Sequence, residues 1–181
     1  MTRRRRFAPR SKGRLFGWRF LLLVLIAGIL LGRVFTTWGD ADGSYPVVSV
    51  VDGDTIKVRM SGRLESVRLI GIDAPETNAP GRPVQCFGQE ATAKAKDLLA
   101  GKAVRLEYDE SQGRRDRFDR LLAYAWVDDV LYNEWVIRQG YAREFTYSAP
   151  YRYQATFKAA EAEARAAGRG LWAAETCNGE F

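Results

Sequence analysis

The stretch from Tyr45 to Glu76, YPVVSVVDGDTIKVRMSGRLESVRLIGIDAPE, decides the fold of this chain. Three runs in it, 45–51, 55–60 and 63–72, are rich in β-branched and apolar residues that partly alternate with polar ones, which is typical of strands. The pair Ser61-Gly62 indicates a turn between the last two runs. The stretch therefore predicts three consecutive strands.

Further elements follow this stretch along the chain. The patterns predict a helix over 87–100 that ends before Gly101, a strand over 103–109, a loop over 113–120, a hairpin over 121–132 with Asp128-Asp129 at its turn, and helices over 133–140 and 150–167. Short strands with helices inserted between them or appended to them predict an α+β fold, a small OB-type β-barrel with helices packed on it.

The positive charge of the chain is concentrated near its N-terminus. The net charge is +6, but residues 1–40 hold nine Arg and Lys against one Asp, and the remainder holds nineteen against twenty-one acids. Phosphate binding therefore depends on local arginines, of which Arg114, Arg115, Arg117 and Arg120 form the densest cluster. The chain has no histidine, which excludes His bases, Ser-His-Asp triads and His-bound zinc. If the chain is an enzyme, this composition favours a carboxylate base and an oxygen-liking metal.

The N-terminal region has the composition of a membrane-targeting segment. Residues 1–19 are basic, and the run from Phe20 to Gly32 carries no charge. The flanking Arg19 and Arg33 can extend this short run to about twenty residues by placing their charges at the interface. We expect an uncleaved signal anchor, a single membrane pass with the N-terminus in the cytoplasm and the rest outside. A cleaved signal peptide, which gives a secreted protein, is the alternative.

Four charged side chains stand close together in the two motifs VDGDTIKV and VRLIGIDAPE. Asp54 and Asp73 are candidate metal carboxylates, Glu76 is a third carboxylate, and Arg68 adds a guanidinium. Carboxylate oxygens suit Ca²⁺ or Mg²⁺, and arginine matches phosphate oxygens in pairs. Each motif alone is also compatible with an ordinary turn beside a strand. Together they point to a metal held against a phosphate, and so to phosphodiester chemistry.

Six motifs in this order resemble the thermonuclease family, the staphylococcal-nuclease-like domains: VDGDTIKV, VRLIGIDAPE, CFGQEA, DRFDRLLAY, VIRQGYA and RGLW. The resemblance covers about Tyr45 to Trp172. It implies a five-stranded OB-type barrel with three helices. It also implies a Ca²⁺-dependent, largely sequence-nonspecific endonuclease that acts on DNA, RNA or both outside the cytoplasm and leaves 3′-phosphate ends.

The resemblance also implies roles for individual residues. Arg68, Glu76 and Arg120 match the catalytic positions, with Glu76 as general base and the arginines on phosphate. Asp54, Asp73 and the main-chain carbonyl of Ala74 match the calcium ligands, and Asp52 and Thr55 match positions beside the metal. Arg117, Phe118, Phe145 and Tyr147 are further candidates for substrate binding. Asp119 departs from the family, which usually has Gly there. An acid beside Arg120 weakens phosphate affinity unless it points to solvent.

Cys86 precedes the first predicted helix, and Cys177 follows the last. In an oxidising compartment they can form a disulfide around roughly ninety residues, and two free thiols are the alternative. The expected organisation is a basic tail (1–19), a signal-anchor segment (20–36), a linker (37–44), the nuclease-like domain (45–174) and a C-terminal tail with Cys177 (175–181). We expect a monomer. A non-catalytic OB-type module that binds nucleic acid at the cell surface is the competing function, but it leaves the full catalytic set without a purpose.

Overall fold

The computed structural model of the protein describes residues 43–77, 81 and 83–181. The predicted basic tail, the signal-anchor segment and nearly all of the predicted linker lie outside these residues. Within the described ranges, no helix has both the length and the apolar character needed to cross a bilayer.

The described residues form eight strands and three α-helices. The strands are β1 (Ser44–Val50), β2 (Thr55–Met60), β3 (Arg63–Leu69), β4 (Ile72–Asp73), β5 (Ala103–Glu107), β6 (Leu121–Val127), β7 (Val130–Leu131) and β8 (Arg143–Glu144). The helices are α1 (Gly88–Leu99), α2 (Tyr132–Arg138) and α3 (Gln154–Ala166), with single 3₁₀ turns at Glu110–Gln112 and Gly170–Trp172.

Five of the strands close into a barrel. They are hydrogen-bonded in the order β3-β2-β1-β5-β6, and the parallel pairing of β3 with β6 joins the two ends. β1 can serve both halves because its register shifts between Val47 and Ser49, so that it pairs with β2 on one side and with β5 on the other. The predicted five-stranded OB-type barrel with three helices is therefore confirmed.

The alternation seen in the sequence fills the barrel interior. Ile56 and Val58 of β2 and Val67 and Leu69 of β3 are at most 1% exposed, while the residues between them reach the outside. Burying a side chain of this size stabilises the fold by about 1.5–3 kcal/mol relative to leaving it in water. The apolar residues of the stretch 45–76 thus stabilise the strands that carry the charged motifs.

The helices differ from their predicted bounds by one to four residues. Helix α1 ends as expected before Gly101, whose φ of 74° suits glycine after a helix. Helix α3 begins at Gln154 rather than near Pro150. The reason is that Arg152 N–H donates to Asp109 Oδ2 at 2.8 Å, which holds the segment before the helix on the barrel instead.

Asp109 connects three separate segments and should make stability depend on pH. Burial alone would raise its pKa, but hydrogen bonds from Arg152 N–H, Tyr124 O–H and Ser111 lower the pKa to about 2. The unfolded chain has the ordinary, higher pKa, so this stabilisation is complete above about pH 4 and is lost as the pH falls towards 2. Between about pH 5 and pH 2, the unfolding free energy of wild type should fall by about 2 kcal/mol more than that of Asp109→Asn. Urea denaturation measures both, and parallel pH profiles would contradict the assignment.

Cys86 and Cys177 form a disulfide across 91 positions of sequence. The bond attaches the segment after α3 to the loop before α1, so the predicted C-terminal tail, residues 175–181, is covalently linked to that loop. Chain entropy predicts that the double variant Cys86→Ser/Cys177→Ser loses about 4–5 kcal/mol of unfolding free energy in urea titrations. Reductant should destabilise wild type by a similar amount and leave the double variant unchanged. Two titratable thiols in wild-type protein that is denatured without reductant would contradict the pairing.

Candidate active site

The register between β2 and β3 brings the first pair of site residues together. Thr55, the first residue of β2, lies directly opposite Arg68, so Asp54, which precedes β2, lies at the strand end next to Arg68. Arg68 Nη2 lies 3.1 Å from Asp54 Oδ2, and Asp54 is only 3% exposed. The guanidinium is fixed further by Nη1, which donates to the carbonyls of Leu69 and Ile72 at 3.1 and 2.9 Å. Strand pairing therefore positions this ion pair.

Asp54 is a buried carboxylate with a network of short contacts. Its Oδ2 accepts from Ala74 N–H at 3.0 Å, and its Oδ1 accepts from the Thr55 hydroxyl at 2.9 Å. Asp52 accepts from the N–H of Asp54 at 3.1 Å and so braces the same turn. Burial raises the pKa of Asp54 to about 7, against the lowering effect of Arg68. One arginine thus leaves this carboxylate incompletely compensated, and a bound cation would favour its charged form.

Two glycines allow the motifs to approach each other. A Cβ on Gly53 would lie 2.6 Å from the Ala74 Cβ, so only glycine lets the VDGD turn touch the IDAPE segment. Gly71 has a φ of 77°, and a Cβ there would lie 2.7 Å from the Tyr151 ring. The chain therefore turns at Gly71, between β3 and β4, and presents Asp73 beside Arg68.

Asp73 lies at the end of β4 between two arginines. Arg68 Nη2 is 3.9 Å from its Oδ1. Arg143 Nε and Nη2 donate to its Oδ2 at 2.9 and 2.6 Å. The sequence predicted Asp73 as a site residue but gave no indication of Arg143, because the two lie 70 residues apart.

Glu76 is held through its backbone by Gln85, the residue before Cys86. Glu76 N–H donates to Gln85 Oε1 at 2.6 Å, and Gln85 N–H donates back to Glu76 O at 3.0 Å. Burial raises the pKa of Glu76, as do the charges of Asp54 and Asp73, while Arg68 and Arg120 lower it. Glu76 therefore lies within the field of the predicted metal carboxylates and of both predicted catalytic arginines.

Arg120 is held by Asp116 and not by Asp119. Its Nε and Nη2 both lie 2.7 Å from Asp116 Oδ2. Asp119 has a φ of 63°, which explains why glycine suits this position. Its side chain is 88% exposed and lies 3.5 Å from Arg115 Nε. The carboxylate of Asp119, the residue that departs from the family pattern, therefore points towards solvent and Arg115 and not towards Arg120.

A cleft of about 500 Å³ joins most of these residues. Arg68, Asp73 and Arg120 line one part of it, together with the four predicted substrate-binding residues, Arg117, Phe118, Phe145 and Tyr147. Phe118 and Tyr147 are 64% and 73% exposed, unusual for rings of that size. The structure therefore brings seven of the predicted residues to one cleft, while Asp54, Ala74 and Glu76 are not among its lining residues. The binding role of the aromatic residues stays a prediction.

The donor set fits a hard cation that keeps several water ligands. Within the described ranges, no group of three or more acidic, His or Cys side chains is arranged as a metal site. Asp54, Asp73 and the Ala74 carbonyl would supply oxygen ligands only, which suits Ca²⁺ and leaves further positions to water and substrate phosphate. Ca²⁺ takes six to eight oxygens, so protein ligands alone would not complete its shell.

Two buried polar residues under the site escaped prediction. Tyr132 O–H donates to the Gly53 carbonyl at 2.9 Å. Asn133 donates to the Ile70 carbonyl at 2.8 Å and accepts from Ala125 N–H at 3.0 Å. Both follow the β6–β7 hairpin, so the start of α2 supports the two loops that carry Asp54 and Asp73.

Several known proteins are similar to this chain in sequence. The model of the family described as staphylococcal nuclease homologue matches residues 66–174. A thermonuclease of Staphylococcus hyicus is 39% identical over 162 residues, which cover 84% of this chain and 95% of that protein. A thermonuclease of Staphylococcus intermedius is 40% identical over 71% of this chain and 76% of its own length. Endonuclease YncB of Bacillus subtilis (strain 168) is 37% identical over 67% of this chain and 58% of its own length.

Proposed function

Because the chain belongs to the staphylococcal nuclease homologue family and is a nuclease, we propose that it is a Ca²⁺-dependent endonuclease acting on DNA, RNA or both. It hydrolyses phosphodiester bonds with little sequence preference and leaves 3′-phosphate ends. The observation that carries this proposal is the cluster of Asp54, Arg68 and Asp73 within the field of Glu76, in which Arg68 and Asp73 line the same cleft as Arg120.

Each charged group has a task in this reaction. Ca²⁺ bound by Asp54, Asp73 and the Ala74 carbonyl would polarise a phosphate oxygen and orient water. Glu76 takes a proton from the attacking water, and its backbone contacts with Gln85 keep it in place. Arg68 and Arg120 donate hydrogen bonds to the phosphate oxygens as negative charge accumulates on them. Both guanidiniums are held by acidic partners before substrate arrives, which reduces the reorganisation needed during the reaction.

The residues of the cleft support the proposed lack of sequence preference. Arg117 lies over the Phe118 ring, with its guanidinium carbon 4.7 Å from the ring centre, and the rings of Phe145 and Tyr147 form an aromatic pair with their centres 6.3 Å apart. Arginines bind phosphate regardless of base, and every base has a face that can stack on an aromatic ring. We therefore assign these four residues to substrate binding.

A non-catalytic nucleic-acid-binding module is the competing proposal, and product chemistry separates the two. The purified chain is incubated with end-labelled single- and double-stranded DNA and with RNA of defined sequence, in the presence of Ca²⁺. Mass spectrometry should find fragments with 5′-hydroxyl and 3′-phosphate ends, cut at many sequence positions. Binding without cleavage would support the module, and fragments with 5′-phosphate ends would contradict the proposed bond.

The location of the nuclease domain is a proposal that rests on the sequence alone. Arginines and lysines precede the apolar run, whereas the chain after residue 40 is net negative, which favours an N-terminus in the cytoplasm and the domain outside. Protease added to intact cells or spheroplasts should digest the domain, and a high-salt wash should not release it. A protected domain would overturn the orientation. A soluble form that begins near Asp42 would replace the anchor with a cleaved signal peptide.

A further inference from the structure

Arg143 is the strand neighbour of Asp73 and binds its carboxylate. In the antiparallel pair of β4 and β8, Asp73 and Arg143 lie directly opposite each other. Two N–H groups of the guanidinium, Nε and Nη2, converge on the single oxygen Oδ2 at 2.9 and 2.6 Å. Charge-assisted contacts of this length are among the stronger polar interactions in proteins, and they fix direction as well as distance.

The other carboxylate oxygen of Asp73 is left open. Within the described part of the chain, its nearest cationic partner is Arg68 Nη2 at 3.9 Å, which is too far for a hydrogen bond. The same Nη2 lies 3.1 Å from Asp54 Oδ2, so Asp73 Oδ1 and the Asp54 carboxylate are neighbours of one guanidinium nitrogen. The arginine pair therefore divides the carboxylate into one held oxygen and one available oxygen.

Arg143 is itself held in place. Its guanidinium carbon lies 4.3 Å from the centre of the Phe181 ring. The strand that carries it is fixed by Phe145 N–H, which donates to the Gly71 carbonyl at 3.0 Å. Tyr151 O–H donates to the neighbouring Glu144 at 2.9 Å. A flat guanidinium fixed in this way can orient a carboxylate more strictly than a lysine ammonium can.

We propose that Arg143 is a positioning residue of the metal site, which holds Asp73 Oδ2 so that Oδ1 is presented to the cation. The inference rests on the proposed Ca²⁺-dependent function and adds a residue that touches neither metal nor substrate. It also assigns a purpose to β8, a strand of two residues whose pairing with β4 brings Arg143 to Asp73.

The opposite view is that Arg143 acts only through its charge. A nearby positive charge repels Ca²⁺, so a residue of this kind would matter for its sign and not for its shape. Arg143→Lys separates the two, because it keeps the charge but loses the two-pronged contact. Loss of a group that orients a metal ligand typically costs about 10–100-fold in metal affinity.

The experiment measures Ca²⁺ affinity by calorimetry, and kcat and KM for DNA at saturating Ca²⁺, for wild type and Arg143→Lys. We expect Ca²⁺ affinity to fall about 10-fold or more in Arg143→Lys, with kcat and KM close to wild type once Ca²⁺ saturates. Arg165→Lys is the matched control, since Arg165 also pairs with a carboxylate, Glu161 at 3.2 Å, and lies over a ring, Trp172 at 3.8 Å. It should leave all three quantities unchanged, and thermal melting in EDTA confirms that both variants fold.

Each other result overturns the inference. Unchanged Ca²⁺ affinity in Arg143→Lys would mean that only the charge of Arg143 matters, or that neither its charge nor its shape does. A raised KM for DNA with unchanged Ca²⁺ affinity would make Arg143 a phosphate contact. If wild type cleaves DNA without binding Ca²⁺, the proposed function fails together with this inference. If wild type binds Ca²⁺ and Arg143→Lys binds it equally well, only the positioning role fails.

Discussion

Glu76→Gln is expected to lower kcat by about 10²–10⁴-fold, the usual contribution of a general base. The substitution keeps the size of the side chain and both backbone contacts with Gln85, so it removes proton abstraction and little else. Steady-state cleavage of a defined DNA at saturating Ca²⁺ measures the change. Wild-type kcat should also fall at acid pH, because protonation of Glu76 removes the base.

Gln85→Glu provides a comparison for this variant. It places a carboxylate near Glu76 without removing the proposed base, and it should lower activity far less than Glu76→Gln. A Glu76→Gln enzyme with wild-type kcat would remove Glu76 from the chemistry. If kcat falls equally in Glu76→Gln and Gln85→Glu, Glu76 has a positioning role and does not act as the base.

Asp73→Ala is expected to weaken Ca²⁺ binding by more than about 100-fold, because losing a group that only orients a ligand already costs about 10–100-fold. Arg120→Ala should leave Ca²⁺ affinity nearly unchanged and lower kcat by about 10²–10³-fold, the usual cost of one donor to the transition state. Isothermal titration with Ca²⁺ and steady-state kinetics, applied to both variants, give the two quantities.

The contrast between the two variants is the informative result. Arg120 pairs with Asp116 and contacts neither Asp54 nor Asp73, so its removal leaves the metal carboxylates as they are. Weaker Ca²⁺ binding in Arg120→Ala than in Asp73→Ala would mean that the two roles are exchanged.

The sequence predicted the parts of the fold that carry periodic signals. Alternation over 55–60 and 63–72 predicted β2 and β3, and their register follows from the turn at Ser61-Gly62. That register brings the end of β2 next to Arg68, and the turn before β2 then places Asp54 3.1 Å from Arg68 Nη2, so local pattern accounts for much of this contact. The sequence also predicted the hairpin turn at Asp128-Asp129. In the structure both residues adopt the positive φ that tight hairpins require.

Contacts between distant segments were not predictable in the same way. β4 and β8 have two residues each, too few for any periodicity, and β8 consists of two charged residues. The pairing of Arg143 with Asp73 and the support of Gly53 by Tyr132 depend on how the barrel closes and not on neighbouring sequence. The start of α3 was misplaced for the same reason, because the hydrogen bond from Arg152 to Asp109 spans 43 residues.

The most direct test of the proposed mechanism is cleavage of DNA by the purified chain as Ca²⁺ is removed and restored. The oxygen-only donor set of Asp54, Asp73 and Ala74 predicts hydrolysis with Ca²⁺, loss of hydrolysis when EDTA is added, and recovery when Ca²⁺ is returned in excess. Glu76→Gln, assayed in parallel, excludes a contaminating nuclease because it should remain nearly inactive throughout. Full activity in EDTA, or activity supported by zinc alone, would contradict the account.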